Sequence, residues 1–105
     1  SADTIISGGT NIYPQEIDDV LLAHQSVAEV CCIGVPNEEW GEEVKAVINL
    51  ESGSDEDAVR KELVKLAEEK LSGFKKPKTY EFWTEELPRL PTGKIQRNLV
   101  KKRFW

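Results

Sequence analysis

The chain has 105 residues and a net charge of −5 at neutral pH, which allows one small domain with a modest core and leaves little room for an enzyme with its own substrate cleft. Nothing approaches a membrane span or a secretion signal, so a soluble cytoplasmic protein is expected, and the overall acidity argues against general nucleic-acid binding. The charge is unevenly placed: residues 1–69 carry 16 acids and 4 bases, residues 70–105 carry 3 acids and 10 bases, and the basic final third suggests an anionic partner there. Opening on Ser1 rather than Met, the chain reads as a piece of a longer protein cut at a domain boundary.

Asp3-Thr4-Ile5-Ile6-Ser7 is β-prone and is followed by Gly8-Gly9-Thr10-Asn11 and Ile12-Tyr13, which predicts a hairpin with the glycines at its tip. Paired glycines serve the turn, and they also let a ligand lie against bare main chain. Pro14 predicts a helix start, with Glu16 in the first turn, Ile17, Val20, Leu21 and His24 on the inner stripe, and an end at Gln25-Ser26. His24 reads as a packing or end-capping side chain, and a single histidine completes no zinc set. Residues 27–35 (VAEVCCIGV) form an almost unbroken apolar run, expected of a strand covered on both faces and read as the central strand. Cys31 and Cys32 within it are small buried hydrophobes rather than a staple. Trp40, stranded among acids in the connector 36–41, is either a lid on the core edge or a stacking surface for a ligand.

Residues 43–51 alternate Val44, Ala46, Ile48 and Leu50 inward against Lys45, Asn49 and Glu51 outward, predicting a half-exposed strand antiparallel to the one before. After Ser52-Gly53, Ser54-x-x-Asp57 predicts a capping box on the longest helix, with Val59, Leu63, Leu66, Ala67 and Leu71 as its apolar face and Gly73 as its stop. Phe74-Lys75-Lys76-Pro77-Lys78 is an irregular basic segment, residues 79–84 a third strand, and Ile95, Leu99 and Val100 mark a short final helix. The expected architecture is α+β: a small three-stranded, mostly antiparallel sheet packed with two to three helices and preceded by a two-stranded hairpin.

Leu87-Pro88-Arg89-Leu90-Pro91-Thr92-Gly93-Lys94 reads as a shaped loop, its prolines stiffening the approach and Gly93 freeing the backbone before the lysine. A solvated Lys94 keeps its charge, so it suits a phosphate or carboxylate brought to it and is a poor general base. Taken alone, the octet also fits an ordinary surface turn.

In order along the chain, Asp3-x-Ile5-Ile6-x-Gly8-Gly9-x-Asn11-Ile12-x-Pro14-x-Glu16-Ile17, Val27-x-Glu29-x-Cys31-x-Ile33-Gly34-Val35-Pro36, Gly41-Glu42, Phe74-Lys75-Lys76-Pro77 and Leu87-Pro88-x-x-x-Thr92-Gly93-Lys94-Ile95-x-Arg97 resemble the C-terminal domain of the adenylate-forming enzymes, within them the acyl-CoA synthetases (fatty-acyl and aryl-CoA ligases). The resemblance implies that residues 1–105 are a single mobile lid domain, inactive alone, and that a large N-terminal domain absent from this chain binds ATP, Mg²⁺ and a fatty or aromatic acid. The whole enzyme would convert ATP, carboxylic acid and CoA to acyl-CoA, AMP and pyrophosphate, in two steps served by two orientations of the lid. Carried over, Lys94 reaches the carboxylate and α-phosphate in the first step, Gly8 and Gly9 line the pantetheine channel in the second, and Trp40, Phe74, Lys76 and Lys78 meet the CoA nucleotide; no metal ligand is assigned to this chain. The resemblance further implies acetylation of Lys94 by a protein acetyltransferase. The family's hinge residue, usually Asp or Lys, falls at Ala2, so either this protein lacks the hinge side chain or residues 1 and 2 are foreign to the natural chain, and the second reading is preferred. The competing reading is a non-enzymatic module that binds a nucleotide or a protein in its own right.

Overall fold

Residues 2–105 are described by a computed structural model. Strands β1 (Ile5–Ser7) and β2 (Thr10–Ile12) form the expected hairpin. Helix α1 (Pro14–Leu22) follows, then the long strands β3 (Val27–Asn37) and β4 (Gly41–Leu50), helix α2 (Glu56–Lys70), a 3₁₀ turn (Gly73–Lys75), β5 (Thr79–Trp83) and helix α3 (Arg97–Lys102). The class is α+β, and the hairpin joins the sheet where Ser7 pairs with Gly41. β5 alone runs parallel, along residues 45–49 of β4, because α2 carries the chain back to the same end of the sheet.

The strand with the most neighbours is β4, not β3: β3 lines one side of it along its whole length, and β1 and β5 share the other. The unbroken apolar run of β3 reports coverage of both faces, which an edge strand can also have, and says nothing of how many strands flank it. Val30 and Cys32 enter the layer under α1 and α2 with Val44, Ala46, Ile48, Val59 and Leu63. Cys31, Ile33 and Val35 enter the opposite layer with Val47, Trp83, Leu87 and Val100. β4 is therefore covered on both faces rather than half exposed, with Lys45 outward only as far as Glu81 and the Phe104 ring.

One irregularity sets the parity of β3. Its register against β4 shifts between Val27 and Glu29, so one extra residue is accommodated there. Val27 and Val30 consequently share the helix-side layer although three positions apart, while Glu29, two positions from Cys31 in unbroken register, lies on the face of Cys31 by alternation.

The outer edge of β3 is covered at Cys32 and Gly34. At Cys32 its backbone N–H donates to Asp18 Oδ1 at 2.7 Å and its C=O accepts from Arg97 at 2.8 Å, and the Gly34 carbonyl accepts from the Trp105 indole at 2.9 Å. Boundary expectations change at α1, which ends at Leu22 rather than at Gln25-Ser26, and at both ends of α2. The α2 cap is Asp55, which accepts from the Ala58 N–H, while the Ser54 hydroxyl turns back to the Glu51 carbonyl. That helix ends at Lys70 with extended Leu71 following, and Gly73, at φ +52°, opens the 3₁₀ turn instead. His24 caps the end of α1: its Nδ1 accepts from the Ser26 N–H and its Nε2 lies 2.6 Å from Glu62 on α2.

Candidate functional site

The sequence-selected residues fall into two groups on opposite layers of the sheet. The first surrounds the hairpin tip. Gly8 (φ +56°) and Gly9 (φ +79°) both hold conformations that a side chain disfavours. The Gly8 N–H donates to the Trp40 carbonyl at 2.9 Å, and a Cβ on Gly8 would lie 2.7 Å from the Phe74 ring. Trp40 meets Phe74 edge-on with centroids 5.0 Å apart, so Gly8, Trp40 and Phe74 form one packed corner. Gly9 is open, with no atom within 4 Å of where its Cβ would be. Beside the same phenylalanine, Lys76 and Lys78 rim a shallow depression with Glu68 and Gly73. Lys76 is paired with Glu68 at 2.9 Å, whereas the Lys78 ammonium has no ion-pair partner among the described residues. Trp40 is thus both an edge lid, through Phe74, and a partly exposed aromatic surface.

The second group is the Lys94 loop. It is a tight hairpin: Arg89 bridges Ile95, the Gly93 N–H donates to the Leu90 carbonyl, the Leu90 N–H to the Lys94 carbonyl, and the Gln96 N–H to the Pro88 carbonyl. Gly93 stands at φ +93°, which explains the glycine ahead of the lysine. Lys94 is exposed, and its ammonium has no hydrogen-bond or ion-pair partner among the described residues. It borders a cleft also lined by Gln15, Asp18, Glu29, Arg89 and Arg97.

Three side chains to which sequence reasoning gave no role brace this loop. Glu29, 8 % exposed, accepts from the Leu87 N–H at 2.9 Å and from Arg89 at 2.9 and 2.7 Å. Arg97 pairs with Asp18 at 2.9 Å and approaches Asp3 at 3.9 Å, joining the segment after Lys94 to α1 and to the N-terminal residues. Burial raises the Asp18 carboxyl above its ordinary value, against the pull of Arg97 and the Cys32 amide; burial alone would lower Arg97, but the surrounding groups, Asp18 foremost, together outweigh it and raise the guanidinium. The signals were present: a lone acid inside VAEVCCIGV must find a partner, and Asp18 falls on the buried spacing of Pro14, Ile17 and Leu21. Burial also pushes the Cys31 thiol up to about 12, so the adjacent cysteines are inert packing groups here, as expected.

The arrangement offers one unneutralised cation on a fixed backbone and, elsewhere, a bare main-chain turn beside aromatic and basic side chains. Residues 16–94 match the AMP-binding enzyme C-terminal domain. The chain is 40% identical over 103 residues to the fatty acid–[acyl-carrier-protein] ligase ScoC of Streptomyces coeruleorubidus, covering 98% of this chain and 19% of that protein. It is 44% identical over 102 residues to the 2-succinylbenzoate–CoA ligase of Listeria monocytogenes, covering 97% of this chain and 21% of that protein. It superposes on the anthranilate CoA ligase AuaEII, solved in complex with anthranoyl-AMP, with a TM-score of 0.90 at 32% identity, over 98% of this chain and 20% of that one. The chain thus spans about a fifth of the length of the curated relatives it matches.

Proposed function

The chain belongs to the AMP-binding enzyme C-terminal domain family, and on that premise we propose that it is the mobile C-terminal domain of an AMP-forming acid:CoA ligase. The whole enzyme joins a fatty or aromatic carboxylic acid to CoA at the expense of ATP, releasing AMP and pyrophosphate. ATP, Mg²⁺ and the acid sit on the partner N-terminal domain, and this domain contributes Lys94 to the first step and the Gly8–Gly9 turn to the second. The observation that carries the reading is the unpartnered Lys94 ammonium at the end of a hairpin whose backbone is tied down.

During adenylation a carboxylate approaches an α-phosphate, two anions that repel. A lysine touching both lowers that repulsion and fixes the angle of attack. Thioester formation requires no such bridge. It requires a narrow passage for the pantetheine arm, which Gly8 and Gly9 can line because they present no Cβ, with Phe74, Trp40, Lys76 and Lys78 placed to meet adenine and phosphate. Acetylation of Lys94 by a protein acetyltransferase would remove the charge the first step uses and so regulate the enzyme. A cytoplasmic setting and a place in fatty-acid metabolism accord with this chemistry.

The test is single-turnover kinetics of each half-reaction in the parent ligase. Lys94→Ala is expected to slow acyl-AMP formation by about a hundredfold or more, as when one preorganised stabilising group is lost. Thioester formation from supplied acyl-AMP is expected to survive. Equal losses in both steps would defeat the division of labour.

A further inference from the structure

The Lys94 ammonium has no partner among the described residues, yet the peptide that carries it is held. Glu29 divides its carboxylate between the two ends of the problem: Oε1 accepts from the Leu87 N–H, the first residue of the loop, and Oε2 accepts from Arg89 Nε at 2.9 Å and Nη2 at 2.7 Å. The remaining terminal nitrogen of that guanidinium donates to the Gly93 carbonyl, which belongs to the same peptide group as the Lys94 N–H. The Arg89 carbonyl in turn accepts from the Gln96 side chain at 3.1 Å. An arginine suits this task because its planar fork can serve a carboxylate on one side and a carbonyl on the other at once.

We propose that Glu29 and Arg89 are positioning residues for Lys94, a relay in which a carboxylate anchored in the sheet sets the orientation of the Gly93–Lys94 peptide through one guanidinium. The inference rests on the adenylation role proposed for Lys94. Glu29 shares the face of Cys31, Ile33 and Val35 by strand alternation, so it points away from the helix-side core and toward the loop. A buried carboxylate inside an apolar strand is costly unless fully paired, and three donors from the loop supply the pairing. Gly93 at φ +93° admits more peptide orientations than another residue would, and the Arg89 bond adds to the flanking hairpin bonds in holding one of them. Through a four-carbon side chain, a small rotation at the Cα becomes a large displacement of the ammonium.

The test compares Glu29→Gln, Arg89→Gln, the double variant and Lys94→Ala in the parent ligase, following both half-reactions on each preparation. Each single variant is expected to slow acyl-AMP formation by about tenfold to a hundredfold, the scale on which a misplaced catalytic group loses rate. The double variant is expected to be no worse than the poorer single one, because both break the same relay. Thioester formation from supplied acyl-AMP is expected to stay within twofold, and it doubles as the check that the proteins are folded. Arg89, half exposed at its side chain, gives the variant least able to unfold the domain. Losses that multiply in the double variant, or equal losses in both half-reactions, would overturn the relay. Wild-type adenylation in both single variants alongside a crippled Lys94→Ala would overturn the relay alone. An unimpaired Lys94→Ala would remove the reading on which it stands.

Discussion

The two candidate corners of this domain keep their backbones still by opposite means. The Lys94 hairpin is held by charge: Glu29 to Arg89, Arg89 to the Gly93 carbonyl, and Asp18 to Arg97 just beyond. The Gly8–Gly9 turn is held by shape, with Gly8 against the Phe74 ring and its N–H on the Trp40 carbonyl. The difference follows from what lies beneath each. Residues 89–94 are all exposed, with no apolar surface to settle on, whereas Gly8 at the hairpin tip rests against the Phe74 ring, which Trp40 packs in turn. Ties of the first kind yield to a single neutral isostere; ties of the second yield only to a change of volume.

The strongest way to break the charged side is Asp18→Asn, which keeps an acceptor for the Cys32 N–H but strips Arg97 of its buried counter-charge. Urea denaturation is expected to show a loss on the order of 3 kcal/mol, the cost of orphaning one member of a buried pair. Replacing Asp18 and Arg97 together by leucines is expected to cost less than Asp18→Asn alone, and a greater cost would mean the pair stabilises the fold outright.

Next in size is a test of shape. Gly8→Ala meets both a left-handed backbone and the Phe74 ring, so a loss of about 2 to 3 kcal/mol is expected. Gly9→Ala meets only the backbone term, about 1 kcal/mol. Thermal melts that rank the two equally would remove Phe74 from the account.

The smallest stability effect belongs to Lys76→Ala. Its exposed pair with Glu68 is expected to shift stability by no more than about 0.5 kcal/mol. In the parent ligase the same change is expected to raise the KM for CoA about tenfold, the scale of one lost hydrogen bond to a charged group, with acyl-AMP formation unchanged. Loss in both half-reactions would place Lys76 on the structural side of the comparison.

Much of this was legible in the residues. Pro14 did open α1, the apolar faces of α1 and α2 ran through the stripe residues Ile17, Leu21, Val59, Leu63 and Ala67, and the octet ending in Lys94 did form an exposed, glycine-hinged hairpin. Neighbour relations were less legible. VAEVCCIGV suggests a central strand because an apolar run shows burial of faces, while the number of flanking strands depends on partners far away in the chain. Asp55 took the cap from Ser54 because adjacent capping residues compete, and pattern alone does not decide between them. The braces behind Lys94 were hidden for a related reason: Glu29 and Arg89 are 60 positions apart, and only the fold makes them neighbours.

The closed edge of β3 has a consequence beyond the site. An 11-residue strand rich in valine and cysteine, lying at the border of a sheet, is by composition a template on which another chain could add in register. Asp18 and Arg97 occupy its outward hydrogen-bonding groups at Cys32, and the indole of the final residue, Trp105, occupies the next at Gly34. Resistance to aggregation is thereby entrusted to side chains that approach from α1 and from the C-terminal segment, so trimming the last residues of the domain would expose a seed for intermolecular β-assembly while leaving Lys94 and the glycine turn in place.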